Sequence, residues 1–301
     1  MLFYLSVVSI FALGYLAQTT GLCMVRGVKQ AILGQPSFLI AILFSGSLTW
    51  IAIELSGDTL ADGHVQAHWP SIYSFIGGVL FGVGSSLNDG CGVSTVSRFA
   101  RGDLVMSSTI VGWLVGWIIF LPLLSFPEAR SEIILLDGRQ HLLLIPLTLV
   151  IGIAIYRMQN DNKKLWLSML GIGLMAGIVF VTEPHWTPSG LLKSISVSIW
   201  FNDESSWPEL PRFYLIAALL AGMISASLVA KTFDLRGFRL SDLVRHLCAG
   251  ISMGCGAVMA NGGNDTQLLV AMPALSLAGY TAVFSIIVGI YVGLKLSKST
   301  G

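Results

Sequence analysis

The chain has 301 residues, of which 54% are hydrophobic and 11% charged, with 33 glycines and a net charge of +1; its mean hydropathy is +0.78. Soluble domains carry about 25% charged residues, so the composition excludes a soluble globular protein and points to an all-α polytopic membrane protein. The near-neutral charge gives no footprint for nucleic acid, and four cysteines in a chain of this length do not make a disulfide framework.

The chain opens on an apolar run, Leu2 to Leu16, without a basic leader, and passes into Ala17-Gln18-Thr19-Thr20 rather than a small-residue cleavage site. A first transmembrane helix is therefore expected in place of a cleaved signal peptide. A helix needs about 20 apolar residues to cross a bilayer. On that basis nine spans are expected, at 3–20, 37–55, 71–87, 104–126, 141–157, 165–182, 212–230, 243–260 and 275–296. An odd count puts the termini on opposite sides. Threading the chain places Arg26, Lys29, Arg98, Arg101, Arg157, Lys163, Lys164, Lys231, Arg236, Arg239, Arg245, Lys295 and Lys298 on one side. Only Arg130, Arg139, Lys193 and Arg212 fall on the other. The positive-inside rule then sets the C-terminus in the cytoplasm of a bacterial cell and the N-terminus outside its inner membrane.

Four segments are apolar but too short to span: Val25–Leu33, Gly92–Ala100, Leu191–Trp200 and Asp265–Met272. Each follows a cluster of Gly, Cys, Pro or Asn, and each is expected to be a half-helix that starts near the membrane interior. Irregular backbone at that depth is tolerated where it lines a cavity or is buried in protein. The N-termini of such half-helices present unpaired N–H groups, which suit a small anion.

The motif Gly82-x-Gly84-x5-Gly90-Cys91 returns as Gly254-x-Gly256-x5-Gly262-Gly263, a constant shift of 172 residues. A shorter echo links Thr19-Thr20-Gly21-Leu22-Cys23 to Thr187-Pro188-Ser189-Gly190-Leu191-Leu192. One transmembrane domain, 1–301, is thus expected to divide into a first half at 1–140, a connecting helix and loop at 141–164, and a second half at 165–301. Four spans per half with one between them make the halves an inverted-topology repeat. Gly-x-Gly alone is equally a device for close helix packing; it is the matching register that favours a transport path.

The polar residues of these breaks are the candidate path: Cys91, Cys23, Gly90, Gly92, Gly21, Gly262, Gly263, Asn264 and Asn88. Cys255, inside the second Gly-x-Gly motif, is a further candidate, while Cys248 reads as packing. At a helix start the dipole favours a thiolate and burial a thiol, so either form is open for Cys23 and Cys91. Asp89 and Asp265 read either as helix caps or as functional carboxylates. His64, His68, His185 and His246 are expected as solvated interfacial residues, as is His141 at the start of a span. No Cys or His cluster has metal-ligand spacing, and no metal or cofactor is expected.

The stretches AQTTGLCMVRGVKQA, GGVLFGVGSSLNDGCGVST and GISMGCGAVMANGGNDTQ resemble the YeeE/YedE family of sulfur-compound transporters. The resemblance implies an hourglass-shaped bundle of nine spanning helices with short helices entering from both faces. It implies uptake of thiosulfate or a related sulfur anion, handed along by cysteine S–H groups: Cys91 at the constriction and Cys23 on an adjacent part of the path. A soluble sulfur carrier of the TusA type is implied as a partner. The chain departs from the family where many relatives repeat Gly-Cys, for here the second copy reads Gly262-Gly263-Asn264. Asn264 is a neutral donor that could stand in for the missing thiol. The expected function is an inner-membrane permease and not an enzyme. The alternative is a membrane-embedded sulfur-handling enzyme or redox protein with Cys91 as nucleophile, for which no partner base is expected at that depth.

Overall fold

A computed structural model of the protein describes residues 2–55, 67–124 and 141–299. Arg130, Arg139 and His64, which entered the reading of topology and interfaces, lie outside the described residues. Among those described the regular structure is helical, with isolated bridges such as Asp103–Arg236 and no strand. The helices are α1 (Leu2–Thr20), α2 (Met24–Ile32), α3 (Ser37–Leu43), α4 (Thr49–Leu55), α5 (Ile72–Leu87), α6 (Gly92–Ala100) and α7 (Met106–Leu124). They continue as α8 (His141–Tyr156), α9 (Asn160–Thr182), α10 (Pro188–Phe201), α11 (Leu210–Val229), α12 (Leu240–Ala260), α13 (Asn264–Thr266) and α14 (Leu277–Ser299). A π-helical turn, Gln267–Ala271, extends α13.

Among the described residues six segments are long and apolar enough to cross a membrane: Leu2–Ile32, Met106–Leu123, Asn160–Thr182, Glu204–Val229, Leu240–Ala260 and Leu277–Ser297. This is an all-α membrane protein. Helices α5 and α8 have 16 residues each, about 24 Å at 1.5 Å per residue, short of a full hydrocarbon core. The expected span 37–55 is not one helix. It is α3, a 3-10 turn at Ser45–Leu48, and α4. The cause is visible in the packing: Gly173 and Gly177 of α9 press against the carbonyls of Ser45 and Thr49, and Gly46 meets the backbone of Leu268. Ser47 also bonds back to the Phe44 carbonyl at 2.7 Å, the local competition that bends helices.

The interior is built on α5, which packs between α12 and α14, while α12 packs also on α7; α1 lies against α9 and α11. Glycine makes these approaches possible. A Cβ on Gly84 would stand 2.8 Å from the carbonyl oxygen of Ala249, and one on Gly256 would stand 2.5 Å from that of Gly77. Gly254 meets the Trp113 carbonyl in the same way. The Gly-x-Gly motifs are therefore helix-packing surfaces in their own right, as small residues are in bilayers. Side chains such as Val8, Leu123, Leu149 and Phe284 are exposed on the outside of the bundle, the surface a bilayer would cover.

The short helices begin where the backbone reverses. Helix α5 ends with Asp89 in the left-handed region (φ 53°) and Gly90 N–H returning to the Ser85 carbonyl at 2.9 Å. Helix α12 ends with Asn261 (φ 62°) and Gly262 N–H returning to Ala257 at 2.8 Å. Both are Schellman-type ends. Asp and Asn tolerate the left-handed residue, and Gly262 itself holds φ 148°.

Candidate functional site

Two thiols meet at one pair of short helices. Cys23 is the N-cap of α2 and Cys91 the N-cap of α6, both with extended backbone and neither with a side-chain capping bond. The two thiols lie near enough to influence each other, and the Ser94 hydroxyl stands between the start of α6 and Cys91. The Met24 N–H donates to Cys91 Sγ at 3.5 Å, and the Ser94 hydroxyl approaches the same sulfur at 3.7 Å. Cys91 is 1% exposed while Cys23 is half-buried, so the pair runs from the protein interior toward an open side. Gly21 (φ 67°) provides the turn that brings Cys23 there. Gly90 stands beside Ser94 and Asn88.

Asn88 is buried behind this loop. Its Nδ2 donates to the Gly90 carbonyl at 2.9 Å and the Thr95 hydroxyl at 2.7 Å. Its Oδ1 accepts from Thr109 at 2.7 Å and pairs with His246 Nδ1 at 2.7 Å. Its side chain is thus fully engaged with the protein and supports the Cys91 loop. His246 corrects the expectation of a solvated interfacial histidine: it is 4% exposed and is held in this network. The reason is that α12 brings it against α5, a tertiary contact that no local pattern announces.

Asp89 is not the N-cap of α6, a place that Cys91 holds. It is exposed and paired with Lys29. Arg98 binds Asp103 at 2.8 Å and the Asn88 carbonyl at 3.2 Å, which ties α6 to the loop before it. Cys255 is half-buried between glycines that pack on α7 and α5, and it is not among the groups that contact the thiol pair. Cys248 is exposed on α12 rather than packed.

The second break faces the first. Asn264, 1% exposed, accepts the N–H of Gly92 on its Oδ1 at 3.1 Å, so its carboxamide sits on the first turn of α6. A Cβ on Gly263 would stand 2.8 Å from Trp113 Cζ2 and 2.7 Å from Asp265 Oδ1. The thiol missing from this copy thus has no room. Asp265, 2% exposed, caps a neighbouring helix: it accepts the Ser189 N–H at 2.9 Å and the Ser189 hydroxyl at 2.7 Å, at the start of α10. Leu192 is buried in α10.

Beyond this break, at the N-terminal end of α5 and the C-terminal end of α12, lies a cavity of about 350 Å³. His68, His185, Ser189, Lys193, Thr266 and Gln267 line it, and Gly262 is at its wall. The Lys193 ammonium donates to Asn261 Oδ1 at 2.7 Å. Sequence reasoning missed this cavity and Trp113 alike, because their residues come from segments far apart in the chain. Among the described residues no group of three or more His, Cys, Asp or Glu is placed to hold a metal ion.

No curated protein matches the chain. Residues 151–292 match the family model described as sulphur transport. That stretch holds the cavity lysine, the Gly262–Asn264 break and the Gly254–Gly256 packing motif. Residues 151–292 are thus similar to the YeeE/YedE sulphur transport family.

Proposed function

We propose that this membrane protein is a permease of the bacterial inner membrane that takes up thiosulfate, with the N-terminus outside and the C-terminus in the cytoplasm. The ion enters the 350 Å³ cavity, where Lys193 supplies positive charge and Ser189, Thr266 and Gln267 supply donors. It then passes between Gly263 and Gly92, is received by Cys91, and moves to Cys23. The observation that carries the reading is that Cys23 and Cys91 cap the starts of two neighbouring short helices, α2 and α6, with Cys91 buried and joined to α2 through the Met24 N–H.

Physical chemistry favours this order. An anion stripped of water needs several donors, because an unpaired buried charge costs on the order of several kcal/mol. Backbone N–H groups at α2 and α6, the Ser94 hydroxyl and two S–H groups are neutral donors. They hold an ion weakly at several places, which suits passage better than one strong site. Cys91 has Ser94 and the Met24 N–H as partners and Cys23 nearby, with no imidazole or carboxylate among them. A relay of donors accounts for that set better than a nucleophile and its base.

The inverted repeat is part of the proposal and has support in the contacts. Gly92 bonds Asn264, and Ser252 bonds the Leu80 carbonyl at 3.1 Å; both pairs are 172 residues apart. The Gly84–Ala249 and Gly256–Gly77 approaches exchange under the same shift. A residue touching its own counterpart is what a two-fold axis produces. On this reading the hourglass, the nine spans and the halves 1–140 and 165–301 around a 141–164 connection follow. The released ion would pass to a cytoplasmic carrier of the TusA type. Purified protein in liposomes tests the function: labelled thiosulfate should accumulate inside chemically unchanged. Consumption with chemical change, or no entry at all, would reject a permease.

A further inference from the structure

One polar group at the constriction has no partner. Trp113, on α7, is 1% exposed, and its Nε1 is buried without a hydrogen-bond partner among the described residues. Buried indole N–H groups ordinarily find one. Trp117, Trp166 and Trp186 share the condition, but Trp113 is the one set against both glycine breaks. A Cβ on Gly92 would lie 2.7 Å from its Cη2, and a Cβ on Gly263 would lie 2.8 Å from its Cζ2. Phe81 holds the ring edge-on, with centroids 6.0 Å apart and planes at 68°. The benzo edge of the indole therefore bridges from one break to the other. In the indole ring the nitrogen is bonded to the carbon next to Cζ2, so the N–H lies at the Gly263 end of that edge. That is the end nearer the cavity.

We infer that Trp113 is the positioning and selectivity residue of the constriction. Its ring closes the gap between Gly263 and Gly92, and its N–H donates to an oxygen or sulfur of the anion as the ion leaves the cavity for Cys91. Both glycines are required beside it, since any side chain at either position would meet the ring. The inference rests on the permeation route proposed above. It assigns the anion a donor that carries no charge, and a planar wall that must shift for the ion to pass. Asn264 sits next to the same point with its oxygen on the Gly92 N–H. An arriving anion displaces that oxygen and takes over the N–H, while Trp113 holds it from the opposite side.

The test uses the full chain in liposomes and nanodiscs. Trp113→Phe keeps an aromatic wedge and removes the N–H. Benzothienylalanine introduced at position 113 keeps the bicyclic shape and also removes it, so a packing defect in the first variant does not decide the matter. In the wild type, thiosulfate should move the indole 1H–15N resonance that disappears in Trp113→Phe. Both variants should raise the half-saturating concentration for uptake about tenfold, the value of a hydrogen bond to a charged group, with a smaller change in maximal rate. Wild-type uptake accompanied by an unmoved resonance and unchanged half-saturation in both variants overturns the inference and leaves the permease standing. Absence of uptake in the wild type overturns the permease itself.

Discussion

Replacing Asn88 by alanine should destabilise the protein by about 2–5 kcal/mol without touching a lipid-facing or cavity-lining group. The figure comes from the network that Asn88 completes. Four hydrogen bonds of 2.7–2.9 Å end on its carboxamide. The Thr95 hydroxyl also donates to the Cys91 carbonyl at 2.9 Å and keeps that bond, so three groups are left orphaned: the Gly90 carbonyl, Thr109 and His246. Interhelical hydrogen bonds in membranes average about 0.6 kcal/mol and reach about 1.7, and a buried polar group left unpaired costs about 1–3 kcal/mol. Three such losses sum to about 2–5 kcal/mol. Asn88→Asp is the sharper variant, since it keeps shape and both acceptor contacts but turns a carboxylate oxygen toward the Gly90 carbonyl. It should be at least as damaging as alanine. Unfolding in detergent followed by tryptophan fluorescence, with wild type and His246→Phe alongside, measures all three. If Asn88→Ala loses less than about 1 kcal/mol, the view of Asn88 as the support of the Cys91 loop is wrong.

The packing glycines give a contrast within one protein. Gly256→Val places a side chain 2.5 Å from the Gly77 carbonyl and should abolish or strongly reduce folded protein, as overpacking costs about 1–3 kcal/mol or more; Gly152→Val, with nothing within 4 Å, should stay within about 0.5 kcal/mol of wild type. Equal yields on size-exclusion chromatography would contradict the close approach of α5 and α12. Gly263→Cys should be destabilising alone and far less so with Trp113→Leu, a coupling of about 1–3 kcal/mol in a double-mutant cycle. Additive effects would mean that Trp113 does not occupy the space of the missing thiol.

Composition and span length disclosed the membrane class, because a bilayer imposes its thickness on apolar runs. The breaks at Gly90 and Gly262 were legible as glycine and Asn/Asp clusters, since only a few residue types tolerate the left-handed turn that ends α5 and α12. Cys91 was marked by its place after Gly90, and Cys23 by its place after Gly21. Their nearness to each other was not, for nothing local in residues 23 and 91 says that two helix starts converge. His246 was misread for the same reason: a histidine near a span end looks solvated until a neighbouring helix covers it. Trp113 sits 22 positions past Cys91 in an uninterrupted apolar helix, where an aromatic residue gives no sign of standing between two breaks. The interruption of 37–55 was hidden because the demand for it comes from Gly173 and Gly177 on α9.

The central claim is that the thiols of Cys91 and Cys23 carry the ion. Uptake of labelled thiosulfate into liposomes should be compared for wild type, Cys91→Ala, Cys91→Ser and Cys255→Ala. The account predicts that Cys91→Ala falls to the background of empty liposomes, that Cys91→Ser keeps a measurable fraction through its O–H, and that Cys255→Ala transports as wild type does. Wild-type uptake by Cys91→Ala would contradict it.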